Sequence, residues 1–583
     1  MSLLSVSGRK WILKDFDSDQ VIYLKENFFL DEITSKLLAI KKIKNEDIKN
    51  YLEPAIKNIL PNPNILKDME KTVLRSIDAI NNKEKIGIFG DYDVDGATST
   101  AILGRYLSYI NCEFEIYIPD RKEEGYGPSE AGFKKLIDKG CKLIFTLDCG
   151  TLSFEPIEFA KKLNVDTLVL DHHQSDAKLP AAFSIINPNR IDDSSNLNYL
   201  CAAGVCFMFL ISLNKKLREI SWFKNNNYSE PNLLEYLDLV SLGTVCDVVP
   251  LTGINRAIVK QGLKILSLKK NIGLKTLMDF CEINSDITTY HLGFKIGPRI
   301  NAGGRVGKCS HGANLLLNIT AKKAFQIASE LENYNKERQI LEKNLLNKIQ
   351  ENVDTNQSIL IIDGKNFHEG VIGIVAARIK EKYNKPTIII STNNKIGKAS
   401  ARSVLGFDIG SLILAGVQAN ILIKGGGHKM AGGFSIEIDK IDEFKNFANK
   451  RITRQKNNTL EEKKYFIDSI IAPSAVNLEF YNKVNYLAPF GSGNSEPKFS
   501  IENLKLINSK IVGEKHIKSN LIGEDGSVIK TIAFNAFDNN LAAYLIKKGH
   551  KTLNIVGKLS LNAWRGEKNV EFIIDDISVN KTH

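Results

Sequence analysis

Between residues 85 and 170 the hydrophobic positions alternate between two patterns. Short apolar runs at 85–90, 114–118, 142–147 and 167–170 read as buried strands. The intervening segments 98–110, 129–139 and 155–163 carry apolar residues at helical spacing. Such alternation predicts a doubly wound, mostly parallel sheet with helices on both faces. Residues 200–320 are mainly helical. From 321 to 353, Ala324, Ile327, Ala328, Leu331, Leu341, Leu345 and Ile349 stand among many charges, which predicts one long amphipathic helix joining two domains. A second α/β unit follows, with strands at 358–362 and 387–390 flanking a helix at 371–382, and glycine loops at 425–427 and 432–433. After about residue 455, short strands (464–470, 498–501, 504–512, 528–534, 552–559, 570–577) predict a small β-barrel. The expected class is therefore α/β. Its divisions are a helical segment 1–60, a first domain 61–320, a linking helix 321–353, a second domain 354–455 and a barrel 456–583.

The length of 583 residues exceeds one core, in keeping with several domains. Hydrophobic (43%) and charged (25%) fractions are those of a soluble globular protein. The longest nearly apolar run, 201–213, is too short for a bilayer of about 30 Å, and the first residues lack a signal-peptide apolar region. A cytoplasmic protein with no membrane partner is expected. Eight cysteines, none in a C-x-x-C pair, read as buried free thiols. The net charge of +11 favours a polyanionic partner, although a lysine surplus in a chain rich in Asn and Ile weakens that inference. Arginine is scarce, so Arg299, Arg305 and Arg402, set among glycines or small residues, stand out.

The most informative stretch is Gly90-Asp91-Tyr92-Asp93-Val94-Asp95-Gly96. Aspartates repel one another and are poor strand formers, so three alternating ones directly after a buried strand call for a cation. An EF-hand loop starts similarly, but its twelfth position, counted from Asp91, is Ile102 rather than Glu. Further acids close later elements: Asp148 after 143–147, Asp171-His172-His173 after 167–170, and Asp247 after the helical 237–245. The carboxyl ends of parallel strands converge on one crevice, which would bring Asp93, Asp95, Asp148 and His172 together. Carboxylates with one imidazole suit Mn²⁺ or Mg²⁺. Two such ions, about 3.5–4 Å apart, would clamp the attacking and leaving oxygens of a phosphodiester, with the central Asp148 as the bridge.

These motifs resemble those of the DHH phosphoesterase superfamily, and more closely the RecJ-type single-stranded-DNA exonucleases. The likeness extends over Ile118-Pro119-Asp120-Arg121, Glu124-Gly125-Tyr126-Gly127, Leu147-Asp148-Cys149-Gly150-Thr151 and Leu242–Pro250. It continues in Gly297–Arg305, Glu369–Gly373, Ser400-Ala401-Arg402-Ser403 and Gly425–Gly433. The resemblance implies that Asp93 and Asp148, helped by Asp91, hold a first metal. Asp95, Asp148, His172 and Asp247 would hold a second. His173 would face the scissile phosphate and Asp171 would orient the histidines. Related phosphatases carry a metal-binding histidine where this chain has Phe89. The resemblance also implies 5′→3′ degradation of single-stranded DNA to mononucleotides in repair and recombination, with a single-strand-binding protein as partner; a helicase is the other candidate.

Glycine-rich turns and arginine forks can cradle phosphates. Arg299, Arg305, Ser400, Arg402, Gly426, Gly427 and His428 are the candidates, with Arg402, Ser400 and Arg305 forming the pocket for a terminal 5′ phosphate. Tyr126 is a candidate for stacking on a base. The C-terminal unit resembles an OB-fold, in which Trp564 and Arg565 look like an exposed, strand-gripping hairpin tip. Two alternatives remain open: a phosphodiesterase for small oligonucleotides or cyclic dinucleotides, and a non-catalytic DNA-binding scaffold.

Overall fold

The computed structural model describes residues 5–121, 123–317, 319–393, 395–455, 463–546, 552–564 and 567–579. In the first domain five parallel strands lie in the order Phe114–Tyr117, Ile86–Gly90, Leu143–Leu147, Asp166–Leu170, Ser184–Ile186. Ile86–Gly90 and Leu143–Leu147 are buried at every position, as a parallel sheet covered on both faces requires. Ile88, Phe145 and Leu168 enter the core made with the helices Val94–Tyr109, Ala202–Glu219 and Leu237–Cys246. Phe89, Ile144 and Val169 enter the opposite core, beneath Glu130–Asp138 and Phe154–Lys162. Gly90 pairs with Leu147, Leu147 with Leu170, and Leu170 with Ile186. Four neighbouring strands therefore stop in line, and Asp91, Asp148, Asp171 and Asn187 are the next residues.

The helix Ala321–Asn352, about 48 Å long at 1.5 Å per residue, ties the domains together. Leu331 packs in the first-domain core, while Leu345 and Ile349 pack with Val371, Ile372 and Val375 of the second. The second sheet runs Lys424–His428, Ala431–Glu437, Ile396–Arg402, Thr387–Ser391, Leu360–Gly364. Here the glycine loops expected at 425–427 and 432–433 are instead an edge hairpin. The glycines serve close packing rather than turning: a Cβ on Gly425 would lie 2.6 Å from Phe434 Cβ, and one on Gly432 2.5 Å from Ile413 Cδ1. The helix Ile409–Gln418 thereby lies directly on the hairpin.

The barrel runs Phe499–Val512, His516–Ile522, Val528–Ala533, Glu567–Val579, Leu553–Trp564 and closes back on Phe499–Val512. The two strands expected at 498–501 and 504–512 form one, with a register irregularity between Ile501 and Leu504. The 1–60 segment is not free-standing. Lys10–Leu13 pairs in parallel with Lys464–Ile467, and Leu24, Leu37, Leu38, Ile48 and Leu52 share the core of Phe499, Ile501 and Phe572. Arg256 locks this joint unit onto the first domain. Its fully buried guanidinium lies 3.9 Å from the Tyr51 ring centre and donates to the carbonyls of Tyr51 (2.7 Å), Leu487 and Ala488 (3.0 Å each).

Candidate active site

Asp91, Asp148 and Asp171 are each about 2% exposed or less. Asp93 caps the helix Val94–Tyr109, its Oδ1 accepting from the Gly96 amide at 3.0 Å. Gly96 is glycine because a Cβ there would lie 2.5 Å from the Asp91 carbonyl oxygen. Asp95, in the first turn, accepts from the amides of Ala202 (2.6 Å) and Ala203 (2.9 Å) at the N-terminus of the helix Ala202–Glu219, which favours a buried negative charge. Asp148 adopts φ +61° and Val248, after Asp247, also φ +61°. Both are uncommon for non-glycine residues, and such conformations gather at functional sites.

His172 joins these acids. Its Nε2 lies 3.2 Å from Asp148 Oδ1, 3.6 Å from Asp247 Oδ2 and 3.7 Å from Asp95 Oδ2. Donor atoms of Asp91, Asp93 and Asp148 come within 4.8 Å of one another, as do those of Asp95, His172 and Asp247. Asp148 Oδ1, Asp91 Oδ1, Asp247 Oδ2 and His172 Nε2 are buried with no hydrogen-bond partner among the described residues. Buried donors left unsatisfied and turned on one another fit a divalent cation. The oxygen-rich set with one imidazole suits Mn²⁺ or Mg²⁺. Phe89 contributes nothing to this set, because it points into the opposite core against Tyr117 and Phe133.

Asp171, by contrast, braces. Its Oδ1 accepts from His173 Nδ1 (2.7 Å) and the His172 amide (2.7 Å), and its Oδ2 from the Thr151 amide (3.0 Å). Asn187 donates to Thr151 Oγ1 and to the His173 carbonyl, each at 2.8 Å. Tyr126, expected on a base, keeps a half-exposed ring, but its hydroxyl donates to the Asp148 carbonyl at 2.9 Å and lies 3.1 Å from His173 Nδ1.

Desolvation, then repulsion from Asp95 and Asp93, pushes the Asp247 carboxyl up to about 9. Desolvation and neighbouring carboxylates raise Asp91, Asp95 and Asp148 as well. Burial alone would raise Asp171, but the His173 hydrogen bond holds it well below the usual range. The same contact overcomes desolvation and lifts His173 to about 9. These directions fix the behaviour of the metal-free protein. Raised carboxylates bind more protons folded than unfolded, so their stabilisation is full below about pH 4 and is lost as pH rises, for Asp247 as it passes about 9. Asp171 acts oppositely, and its contribution disappears only in acid. In chelator the melting temperature is expected to fall from pH 5 to pH 9, and Mn²⁺ should raise it most at the alkaline end. A flat melting profile in chelator would show that the carboxylates are not raised in the folded protein.

A cationic cluster begins at Tyr92, whose ring centre lies 5.4 Å from the Arg121 guanidinium. Ser400 and Arg402 share a face of the strand Ile396–Arg402, and Arg402 Nη1 donates to Ser400 Oγ at 3.1 Å. Gly426, Gly433 and Ser400 form one rung of the sheet, and His428, Ala431 and Arg402 another. The glycines leave a bare backbone floor beside Ser400, with nothing within 4 Å of a Cβ on Gly426. From the first domain, Arg305 Nη1 donates to the Gly370 carbonyl at 3.0 Å, near the start of the helix Glu369–Tyr383. Desolvation, then Arg121, Arg338 and Arg402, lowers Arg305 to about 10, and desolvation and Arg121 lower Arg402. Arg121, overlooked in the sequence, follows the end of its strand, which is the signal that could have found it. Arg299 is engaged elsewhere: Nε meets Glu332 of the long helix at 2.5 Å and Nη1 the Lys295 carbonyl at 2.8 Å. Trp564 stands opposite Glu567 in the hairpin register; its side chain, and the whole of Arg565, lie outside the described residues.

Three family models match the chain: the DHH family N-terminal domain over residues 85–244, the DHHA1 domain over 356–454 and the RecJ OB domain over 467–576. The single-stranded-DNA-specific exonuclease RecJ of Escherichia coli is 33% identical over 541 residues, covering 90% of this chain and 92% of the relative. The exonuclease of the same name from Thermus thermophilus is 29% identical over 518 residues, covering 89% of this chain and 71% of the relative. A crystal structure of RecJ in complex with Mn²⁺ from Thermus thermophilus superposes with a TM-score of 0.80 at 25% identity, over 98% of this chain and 80% of that one.

Proposed function

Because this chain belongs to the RecJ family of single-stranded-DNA-specific exonucleases, we propose that it uses the site above to remove mononucleotides from 5′ ends by two-metal phosphodiester hydrolysis. It is a metal-dependent exonuclease of single-stranded DNA. The observation that carries the finer reading is the pairing of two donor groups, linked through Asp148 and His172, with an arginine cluster contributed by both domains. Divalent cations bound there supply charge for the attacking and leaving oxygens of the phosphodiester.

Asp91, Asp93 and Asp148 hold one cation, and Asp95, Asp148, His172 and Asp247 the other. His173 keeps its Nδ1 proton on Asp171, which leaves Nε2 for a phosphate oxygen. Tyr126 limits the tilt of that ring. Arg402, Ser400, Arg305 and Arg121 take the terminal phosphate over the glycine floor, and Gly426, Gly427 and His428 line its far side. Arg299 serves as a helix anchor. The barrel grips the strand beyond, which disfavours a small-substrate phosphodiesterase. The intact donor set disfavours a non-catalytic scaffold.

The enzyme would act in the cytoplasm, in repair and recombination, on strands exposed by a helicase and covered by a single-strand-binding protein. Among the described residues no helix is long and apolar enough to cross a membrane. End-labelled single strands incubated with Mn²⁺ should release labelled mononucleotides from the 5′ end only, and a chelator should stop the release. Internal cuts, or release from the 3′ end, would overturn the reading.

A further inference from the structure

The helix Glu369–Tyr383 contains Gly370 and Gly373 near its start, and no proline or further glycine. Glycine loses more backbone freedom in a helix than any other residue, so each of the two needs a compensating contact. Residues three apart share one face of a helix. A Cβ on Gly370 would lie 2.3 Å from the Arg305 carbonyl oxygen. One on Gly373 would lie 2.9 Å from Ser400 Oγ and 3.1 Å from Arg402 Nη2. The bare face therefore seats three members of the cationic pocket, one from the first domain and two from the second.

The two close approaches differ in what they touch. At Gly370 the neighbour is backbone, which cannot yield unless one domain moves against the other. At Gly373 the neighbours are the ends of two side chains, which can turn aside at small cost to the fold. The strand that carries them is held from elsewhere. Ile396–Arg402 pairs with Thr387–Ser391 on one side and with Ala431–Glu437 on the other. Lys398, on the same face of that strand as Ser400 and Arg402, meets Glu369 at 3.0 Å, so the start of the helix runs along this face. What remains free is the direction of the two side chains, and the helix surface beneath them sets it. Arg402 Nη1 donates to Ser400 Oγ (3.1 Å) and to the Ala401 carbonyl (2.8 Å). Arg402 Nη2, over Gly373, meets no acceptor among the described residues.

We propose that Gly373 is a positioning residue for recognition of the terminal phosphate: its missing side chain lets Ser400 and Arg402 rest on the helix, with the free Nη2 end of the fork left for the substrate. This rests on the 5′-end reading above. Gly370 has the complementary task of bringing Arg305 up to the same helix. A methyl group at position 373 would push Ser400 Oγ aside, release Arg402 Nη1 and fill the space beside Nη2. The fork would lose its aim, while the carboxylates and His172 that hold the cations, all on the first domain, would keep theirs.

The test uses the full-length protein with Mn²⁺ and compares kcat/KM on 5′-phosphorylated and 5′-hydroxyl single strands for wild type, Gly373→Ala, Ser400→Ala and the double variant. Gly373→Ala is expected to cut the preference for the phosphorylated strand by about three- to tenfold, less than loss of the whole guanidinium, because the fork is displaced rather than removed. Alanine is the better helix former, so the melting temperature in chelator should not fall, and Mn²⁺ should raise it as much as in wild type. In the Ser400→Ala background the same substitution should reduce the preference clearly less, because the hydroxyl that the methyl displaces is already gone. A merely structural role would instead lower both rates and the melting temperature together. An undiminished preference in Gly373→Ala, equal slowing on both strands, or full additivity with Ser400→Ala would overturn the proposal, while a wild-type preference for the phosphorylated strand keeps the 5′-end reading standing. A wild type that does not distinguish the two strands would overturn that reading and the proposal with it.

Discussion

Asp148→Asn is expected to lower turnover on single-stranded DNA by well over a hundredfold while leaving the protein folded. Asp148 is the central residue in the row of strand ends, and its Oδ1 has no hydrogen-bond partner among the described residues. Substituting groups that merely support a ligand commonly costs about ten- to a hundredfold, so losing a shared ligand should cost more. The fold should tolerate the change for two reasons. Asparagine accepts the φ of +61° at least as well as aspartate. Removing one carboxylate also relieves the repulsion that, after desolvation, raises Asp148. In chelator the variant should melt at a higher temperature than wild type, and Mn²⁺ should stabilise it less. Turnover within a few-fold of wild type at saturating Mn²⁺ would remove Asp148 from the bridging role.

The second large effect concerns direction. Internal phosphodiesters look alike to a metal pair, so preference for a 5′ end needs a separate contact with the terminal phosphate, which carries more charge. Arg402, Arg305 and Arg121 repel one another, an arrangement that an anion would relieve. Arg402→Ala is expected to reduce the preference for 5′-phosphorylated over 5′-hydroxyl strands by roughly ten- to a hundredfold, the equivalent of a charge-assisted contact of about 1.5–3 kcal/mol. Arg402→Lys should recover only part of it, since an ammonium lacks the planar fork. The measurement is the ratio of kcat/KM on the two substrates. Equal slowing on both would assign Arg402 to general DNA binding or to the joint between domains.

How far the sequence alone carries such expectations depends on the range of the interaction involved. The first sheet was legible because each of its strands is a local apolar run, and because carboxyl ends of parallel strands share one edge whatever the surrounding helices do. Asp93, Asp95, Asp148 and His172 were therefore placed together from their positions after such runs, and the register brings the strand ends that precede them into line. The strand His516–Ile522 was missed because Lys518, Ser519 and Asn520 interrupt its apolar signal. The glycine hairpin was read as loops because glycine's usual local meaning is a turn, whereas here the missing side chains make room for the helix Ile409–Gln418.

What the sequence by itself determined is the order of domains, the position of the acidic row and the family to which the motifs belong, since all three are written in short contiguous stretches. Only the tertiary structure decided the partners of residues whose surroundings come from distant parts of the chain. Residues 10–13 pair with 464–467, and the helices before residue 60 complete the barrel core, because an amphipathic helix specifies a buried face without specifying what buries it. Arg299 and Arg305 lie on one helix in one glycine-rich motif, yet one holds the long helix and the other reaches the Gly370 carbonyl of the second domain. Their difference in direction around the helix became a difference in role only once a carboxylate from Glu332 and a carbonyl from Gly370 were in place to meet them.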